Sequence, residues 1–249
     1  MLMNWEIIVL IIATVSLSYF STAEKELEYA CYNCHTTKCL DDPLCQPKSL
    51  CRNVIDIPLT ESQKATLLQT HNELRSKVAL GQQEGQPSAA DMMEFVWDDE
   101  LANMAQCFAN ECDFDHYRCS LANRGEFGQN IYGVWYSPNP PTDLDYEEPV
   151  IGWFEEVEIF PTKYIDNFVF EEDNGYGHYS QLIWGNTTVV GCAAVLFQDV
   201  DDWWAHQTYC NYFPSGNYEF RPVYQTGKPA SKCPHGKSRH YQGLCKPVV

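Results

Sequence analysis

The chain has 249 residues, with 34 acidic against 16 basic side chains and a formal charge of −18. That balance excludes nucleic acid and anionic lipid surfaces as electrostatic partners, because both call for a cationic face. The twelve cysteines and a length that suits one well-buried domain with appendages point to an exported, disulfide-bonded protein.

The first segment reads as a secretory signal. Ile7 to Phe20 is mostly apolar but short of the roughly 20 residues that span a bilayer. Ser21-Thr22-Ala23 places small residues before a cut after Ala23. The n-region holds Glu6 and no Lys or Arg, so an uncleaved anchor is the rival reading. No later segment is long and apolar enough to span a membrane. Residues 1–23 are therefore expected to be a signal peptide, and the product extracellular and monomeric.

Residues 24–59 are Cys-dense, with little periodicity, and read as a disulfide-pinned extension. Zinc on Cys31 and Cys34 is the rival, but no second CxxC follows. Thr60-Glu61-Ser62-Gln63 is a capping box that opens a helix. Leu67, His71, Leu74 and Val78 share one helical face, and Gly81 ends it. Residues 82–91 form a polar loop. Asp98 or Asp99 caps a second helix with a stripe of Leu101, Met104, Ala105, Phe108 and Ala109.

Residues 113–125 read as irregular and Ile131 to Val134 as a strand. Pro138 to Pro141 marks a surface loop. A third helix starts near Pro149, runs through Val150, Trp153, Phe154 and Val157, and stops at Pro161. Gln181 to Trp184, Val189 to Phe197 and His206 to Phe213 read as strands, being rich in β-branched and aromatic residues. Asp199 to Ala205 is the turn between the last two. From Thr226 the chain is a basic, Gly- and Pro-containing tail. Helices with late strands suggest an α+β fold in which a sheet packs between helices.

Two stretches carry a resemblance. Gly177-His178-Tyr179-Ser180-Gln181-Leu182-Ile183-Trp184 and Thr208 to Tyr218 resemble the signature motifs of the CAP superfamily (cysteine-rich secretory proteins, antigen 5 and pathogenesis-related 1 proteins). The antigen 5 branch, known from arthropod venom and saliva, is the nearest in kind. The resemblance implies a three-layer α-β-α sandwich over residues 60–225, an N-terminal extension over 24–59 and a tail over 226–249. It also implies a cleft lined by two histidines and two acidic residues.

Carried onto this chain, His71 of His71-Asn72-Glu73-Leu74-Arg75 takes the first cleft position and Gln129 of Gly128-Gln129-Asn130 the second. Glu156 of the WxxE-like Trp153 to Glu156 takes the third, and His178 the fourth. Gln129 stands where the pattern usually has Glu. Gln is no base, carries no charge and is a poor metal ligand. Two imidazoles and one carboxylate still suit a zinc-like ion with an open position; a structural hydrogen-bond network is the alternative. Ser180, two residues from His178, is the right type for acyl transfer with a histidine and a carboxylate. There is no GxSxG elbow, so it reads as a polar strand residue beside the cleft.

The resemblance further implies the pairs Cys192–Cys210, Cys51–Cys112, Cys39–Cys119, Cys34–Cys45, Cys233–Cys245 and Cys31–Cys107. Asn186-Thr187-Thr188 is a full N-glycosylation sequon. Trp203-Trp204 sits in an acidic turn and is expected to be exposed, whereas the other aromatics read mainly as core. Arg124-Gly125-Glu126 is one methylene longer than an integrin RGD and reads as a loop.

These features add up to a secreted, non-enzymatic binding protein of the venom or salivary allergen type that needs no cofactor. Its ligand would be a sterol, fatty acid or other small amphiphile, or a host extracellular protein. A metal- or Ser-dependent hydrolase using the His/Glu cleft is the alternative.

Overall fold

The computed structural model describes residues 51–55, 58–116, 120–121, 125–171 and 175–247. The expected signal peptide, most of the extension, Arg124 and the disulfide assignments of Cys31, Cys34, Cys39, Cys45 and Cys119 lie outside them. The elements, in chain order, are β1 (Arg52–Ile55), α1 (Glu61–Ala79), β2 (Val96–Trp97), α2 (Asp99–Ala109), β3 (Ser120–Leu121), β4 (Gly125–Glu126), β5 (Gly128–Tyr136), α3 (Glu148–Glu155), α4 (Gly177–Leu182), β6 (Val189–Gln198) and β7 (Trp204–Phe213).

Local chemistry sets the helix starts. Gln63 N–H donates to Thr60 Oγ1 at 3.3 Å and Thr60 N–H to Gln63 Oε1 at 2.8 Å, the expected capping box. Asp98, not Asp99, caps α2, accepting from Leu101 N–H at 3.0 Å. Each cap satisfies a backbone donor that a helix start otherwise leaves open.

The main sheet runs β1-β6-β7-β5, with β2 parallel to β6 and the other pairs antiparallel. Side chains alternate between its faces. Ala193, Val195, Phe197, Ala205 and Tyr209 pack with Leu101, Met104 and Phe108 of α2. Cys192, Ala194, Cys210 and Tyr212 pack on the opposite side with Leu67 and Val78 of α1, Val150 and Trp153 of α3, and Tyr179 of α4. A sheet with helices on both faces is the expected three-layer sandwich. Gly191 lets α2 approach, since a Cβ there would collide with the backbone of Asp98 and Ala102.

Three implied disulfides are present: Cys51–Cys112, Cys192–Cys210 and Cys233–Cys245. Cys192 and Cys210 are direct cross-strand partners of β6 and β7. Closing a loop of 18 residues stabilises by about 3 kcal/mol in the chain-entropy model. Cys107 is also disulfide-bonded.

Several sequence readings are corrected. Gln181 to Trp184 is not a strand: Gln181 and Leu182 finish α4 and the rest is turn. A four-residue apolar run cannot tell a buried strand from a buried helix end. The third helix stops as α-helix at Glu155 and tightens into a 3-10 turn, Glu156–Glu158. The strand at Ile131 to Val134 extends over all of β5. Gly125–Glu126, read as loop, pairs with Ser120–Leu121 in a short hairpin. β1 and β2 gave no period of their own because they exist by pairing with β6.

Candidate functional site

Four residues meet where the loop after α2, strand β5, the end of α3 and the start of α4 come together. Glu156 carries its carboxylate onto the first turn of α4. It accepts from the backbone N–H groups of His178 and Tyr179, both at 3.0 Å, and from His178 Nδ1 at 2.5 Å. The helix start thus gains an anionic cap, and the ring of His178 is fixed with its Nδ1 proton on the carboxylate. Its other ring nitrogen, Nε2, is the acceptor in the neutral form. Trp153, anchored by its indole N–H to Ile131 O at 3.0 Å, lies beside that ring at 6.2 Å between centroids.

Gln129 faces the cluster from β5. Its Nε2 donates to Asn211 Oδ1 at 3.0 Å on the paired strand, and its Oε1 lies 3.3 Å from Nδ1 of His116. The imidazoles of His116 and His178 stand 6.0 Å apart between centroids, tilted by 33°. A Cβ on Gly128, next to Gln129, would strike the terminal amide of the buried Gln181, which would have to move.

The first histidine of the cleft is therefore His116, and the assignment to His71 is corrected. His71 is fully buried in α1. Its Nδ1–H donates to Leu67 O at 2.7 Å, and Nε2 accepts from the Tyr212 hydroxyl at 2.9 Å. Burial, and secondarily the Arg75 charge, push its pKa down to about 4. Its motif neighbours are scaffold too. Asn72 exchanges two hydrogen bonds with the backbone of Phe95. Arg75 spends its guanidinium on carbonyls of Met93, Leu182, Trp184 and Thr187. A histidine on the apolar face of a helix is a core residue here. His116 escaped notice because it lies in the segment read as irregular. The available signal was its place four residues beyond Cys112, whose bridge to Cys51 pins the loop.

Ser180 is corrected as well. It is helical and fully buried rather than a strand residue in the cleft. Its hydroxyl lies 2.7 Å from Asn217 Oδ1 and is held against the carbonyls of Tyr176 and Gly177. A hydroxyl that donates to an amide oxygen in the core is no nucleophile.

A resident metal fits poorly. Both oxygens of Glu156 are engaged by α4, Gln129 offers only an amide, and His71 is elsewhere. Among the described residues no group of three or more His, Cys, Asp or Glu is arranged to hold an ion. Catalytic zinc normally keeps three protein ligands; two imidazoles are what remains.

Gln129, Gly133 and Trp135 share one face of β5, and Phe114 stacks edge-on against Trp135 at 5.5 Å. Both rings are exposed, at 49% and 41%. A Cβ at Gly133 would reach within 2.8 Å of either ring. As expected, Trp203 is exposed, whereas Trp204 is half-buried at the start of β7. A pocket of about 580 Å3 is lined by Trp184, Asn186, Pro214, Ser215, Tyr218, Arg221 and Pro222. None of the helices among the described residues is long and apolar enough to cross a membrane.

The family model described as "CAP: Cysteine-rich secretory protein family" matches residues 68–212. Scoloptoxin SSD976 of Scolopendra dehaani is 39% identical over 192 residues, which cover 75% of this chain and 85% of that protein. Venom allergen 5 of Tityus serrulatus is 34% identical over 215 residues, 81% of this chain; the chain spans 51% of that longer relative. Among solved structures, the crystal structure of NaASP2 with Zn2+ is similar at 29% identity and a TM-score of 0.58, over 77% of this chain and 98% of that one.

Proposed function

The chain belongs to the cysteine-rich secretory protein (CAP) family, and we propose that it is a secreted, non-enzymatic binding protein whose histidine cleft docks a basic face of a host extracellular protein. Its relatives support the setting, since they bear the names of venom proteins. The single observation that carries the docking reading is the exposed Phe114–Trp135 pair beside His116 and Gln129. Exposed aromatics packed against one another are groups that anchor protein interfaces. Asp113 and Asp115, exposed in the same loop, together with the formal charge of −18, favour a cationic partner and speed its encounter.

The hydrolase alternative lacks its nucleophile, because Ser180 is sequestered, and the comparisons lend it no support. The zinc named for the NaASP2 structure has only two imidazoles to meet it here, so the proposal invokes no resident cofactor. A fatty acid is disfavoured at the second pocket, about 400 Å3 between Thr66 and residues 143–147, because Asp143, Asp145 and Glu147 line it.

The test is a binding survey against arrayed extracellular proteins, with wild type and Trp135→Ala compared on each hit. The expected partner is basic, binds in the presence of EDTA, and loses at least tenfold in affinity with Trp135→Ala. Binding indifferent to changes at Trp135 and His116 would overturn the cleft as the docking face. Turnover of a substrate that His178→Ala abolishes would overturn the non-enzymatic reading.

A further inference from the structure

The sequon Asn186-Thr187-Thr188 and the 580 Å3 pocket are independent features that coincide in space. Asn186 is exposed and lines the pocket. The turn that carries it is fixed from several sides. Thr187 N–H bonds Trp184 O at 3.3 Å, Gly185 N–H bonds Val223 O at 2.7 Å, and Met93 N–H bonds Gly185 O at 3.0 Å. Thr187 is fully buried, with its hydroxyl donating to Pro214 O at 2.9 Å. A Cβ on Gly185 would come within 3.0 Å of Tyr224, a tight approach that its neighbours would have to relieve. Asn186 is thus held against the pocket by its neighbours, and its side chain makes no hydrogen bond to another of the described residues.

The walls suit a carbohydrate. Tyr218 is 46% exposed and stands edge-on to the buried Trp184 at 6.3 Å. Pro214 and Pro222 supply two more apolar surfaces. The C–H face of a pyranose ring packs on such surfaces, while Arg221 and Ser215 offer polar groups for its acetamide and hydroxyls. The volume lies in the ~300–1,000 Å3 range of small-ligand sites, enough for a disaccharide. A free sugar would lose translational freedom on entering so open a site. A sugar tethered at Asn186 has already lost it, and its effective concentration is high.

We propose that Asn186 is N-glycosylated and that the first two N-acetylglucosamine rings of that glycan fold back into the pocket formed by Trp184, Pro214, Tyr218 and Pro222. The glycan then covers an apolar surface of this chain that would otherwise meet water, lined by none of His116, Gln129, Glu156 and His178.

The experiment uses the full chain secreted from mammalian cells, as wild type, Asn186→Gln and Tyr218→Ala. Intact mass should show one N-glycan on wild type and Tyr218→Ala and none on Asn186→Gln. Amidase release of the glycan from native wild type should be at least ~10-fold slower than from native Tyr218→Ala, with equal rates once both are denatured. On wild-type protein alone, trimming to one sugar and then to none should lower the melting temperature at each step. Identical masses for wild type and Asn186→Gln would overturn the modification. Equal native release rates for wild type and Tyr218→Ala, or a melting temperature indifferent to trimming, would overturn the folding-back of the glycan.

Discussion

The carboxylate of Glu156 holds His178 twice, accepting from its ring Nδ1 at 2.5 Å and from its backbone N–H at 3.0 Å. One side chain therefore both starts helix α4 and sets the ring that faces His116. Loss of a capping side chain typically costs about 0.5–2 kcal/mol, so Glu156→Ala should lower stability by that amount in chemical denaturation, with Glu156→Gln retaining part. An unchanged denaturation midpoint for Glu156→Ala would show that α4 does not depend on this cap.

Acid should weaken the fold through buried histidines. His71 and His206 are both buried, and burial pushes each pKa from the usual 6.5 to about 4. Near pH 7 both are neutral whether the chain is folded or not, and no stability is lost. Between pH 6.5 and about 4 the unfolded chain binds protons that the folded one refuses, so stability falls as pH falls. Each site contributes about 3 kcal/mol across that window at one pKa unit per 1.36 kcal/mol. The carboxyl of Asp91, raised by burial, works the other way near the acid end. Denaturation measured from pH 7 to 4.5 should show this loss, and His206→Phe should remove about one proton from the slope. Parallel pH profiles for wild type and His206→Phe would rule out His206 as a source.

Arg75 is the costliest single residue to change. It is fully buried and stacks on Phe95 at 3.9 Å. Its forked donors tie α1 to four carbonyls, including two at the end of α4 and beyond. Arg75→Met leaves those carbonyls buried without donors, at about 3 kcal/mol or more. Arg75→Lys should recover only a fraction, because an ammonium lacks the planar fork. Urea unfolding of the two variants checks this; a Lys variant as stable as wild type would mean that charge, not the fork, is what the site needs.

Zinc should bind weakly. With Gln129 an amide and Glu156 committed to α4, calorimetry near pH 7.5 should find no binding tighter than about 10 μM, about −7 kcal/mol. Gln129→Glu restores a carboxylate beside His116 and should tighten zinc at least ~10-fold, about 1.4 kcal/mol. Nanomolar binding by wild type that disappears in His116→Ala would refute this account of the cleft.

Local chemistry was legible in the sequence wherever its partner lies within a few residues. The Thr60–Gln63 box was readable because both groups sit on one turn, and the cap of α2 was narrowed to Asp98 or Asp99, of which the structure uses Asp98. The long strands β6 and β7 were readable because they are rich in β-branched and aromatic residues over a length that suits a strand. The resemblance then supplied what spacing could not, including three of the disulfides and three residues that the structure brings together around His116: Gln129, Glu156 and His178.

What the sequence alone determined, then, is an acidic, disulfide-bonded α-β-α chain with a histidine beside a glycine turn. Tertiary structure decided which second histidine joins it. His71 and His116 are equally polar as letters, but His71 faces Leu67 and Tyr212 in the core, while the Cys51–Cys112 bridge and the β5–β7 pairing bring His116 beside Gln129. It also decided that Gln181 to Trp184 ends a helix, because Glu156, more than twenty residues away, satisfies that helix's first donors. Such outcomes depend on which backbone groups remain unpaired once distant segments meet, and no local pattern carries that information.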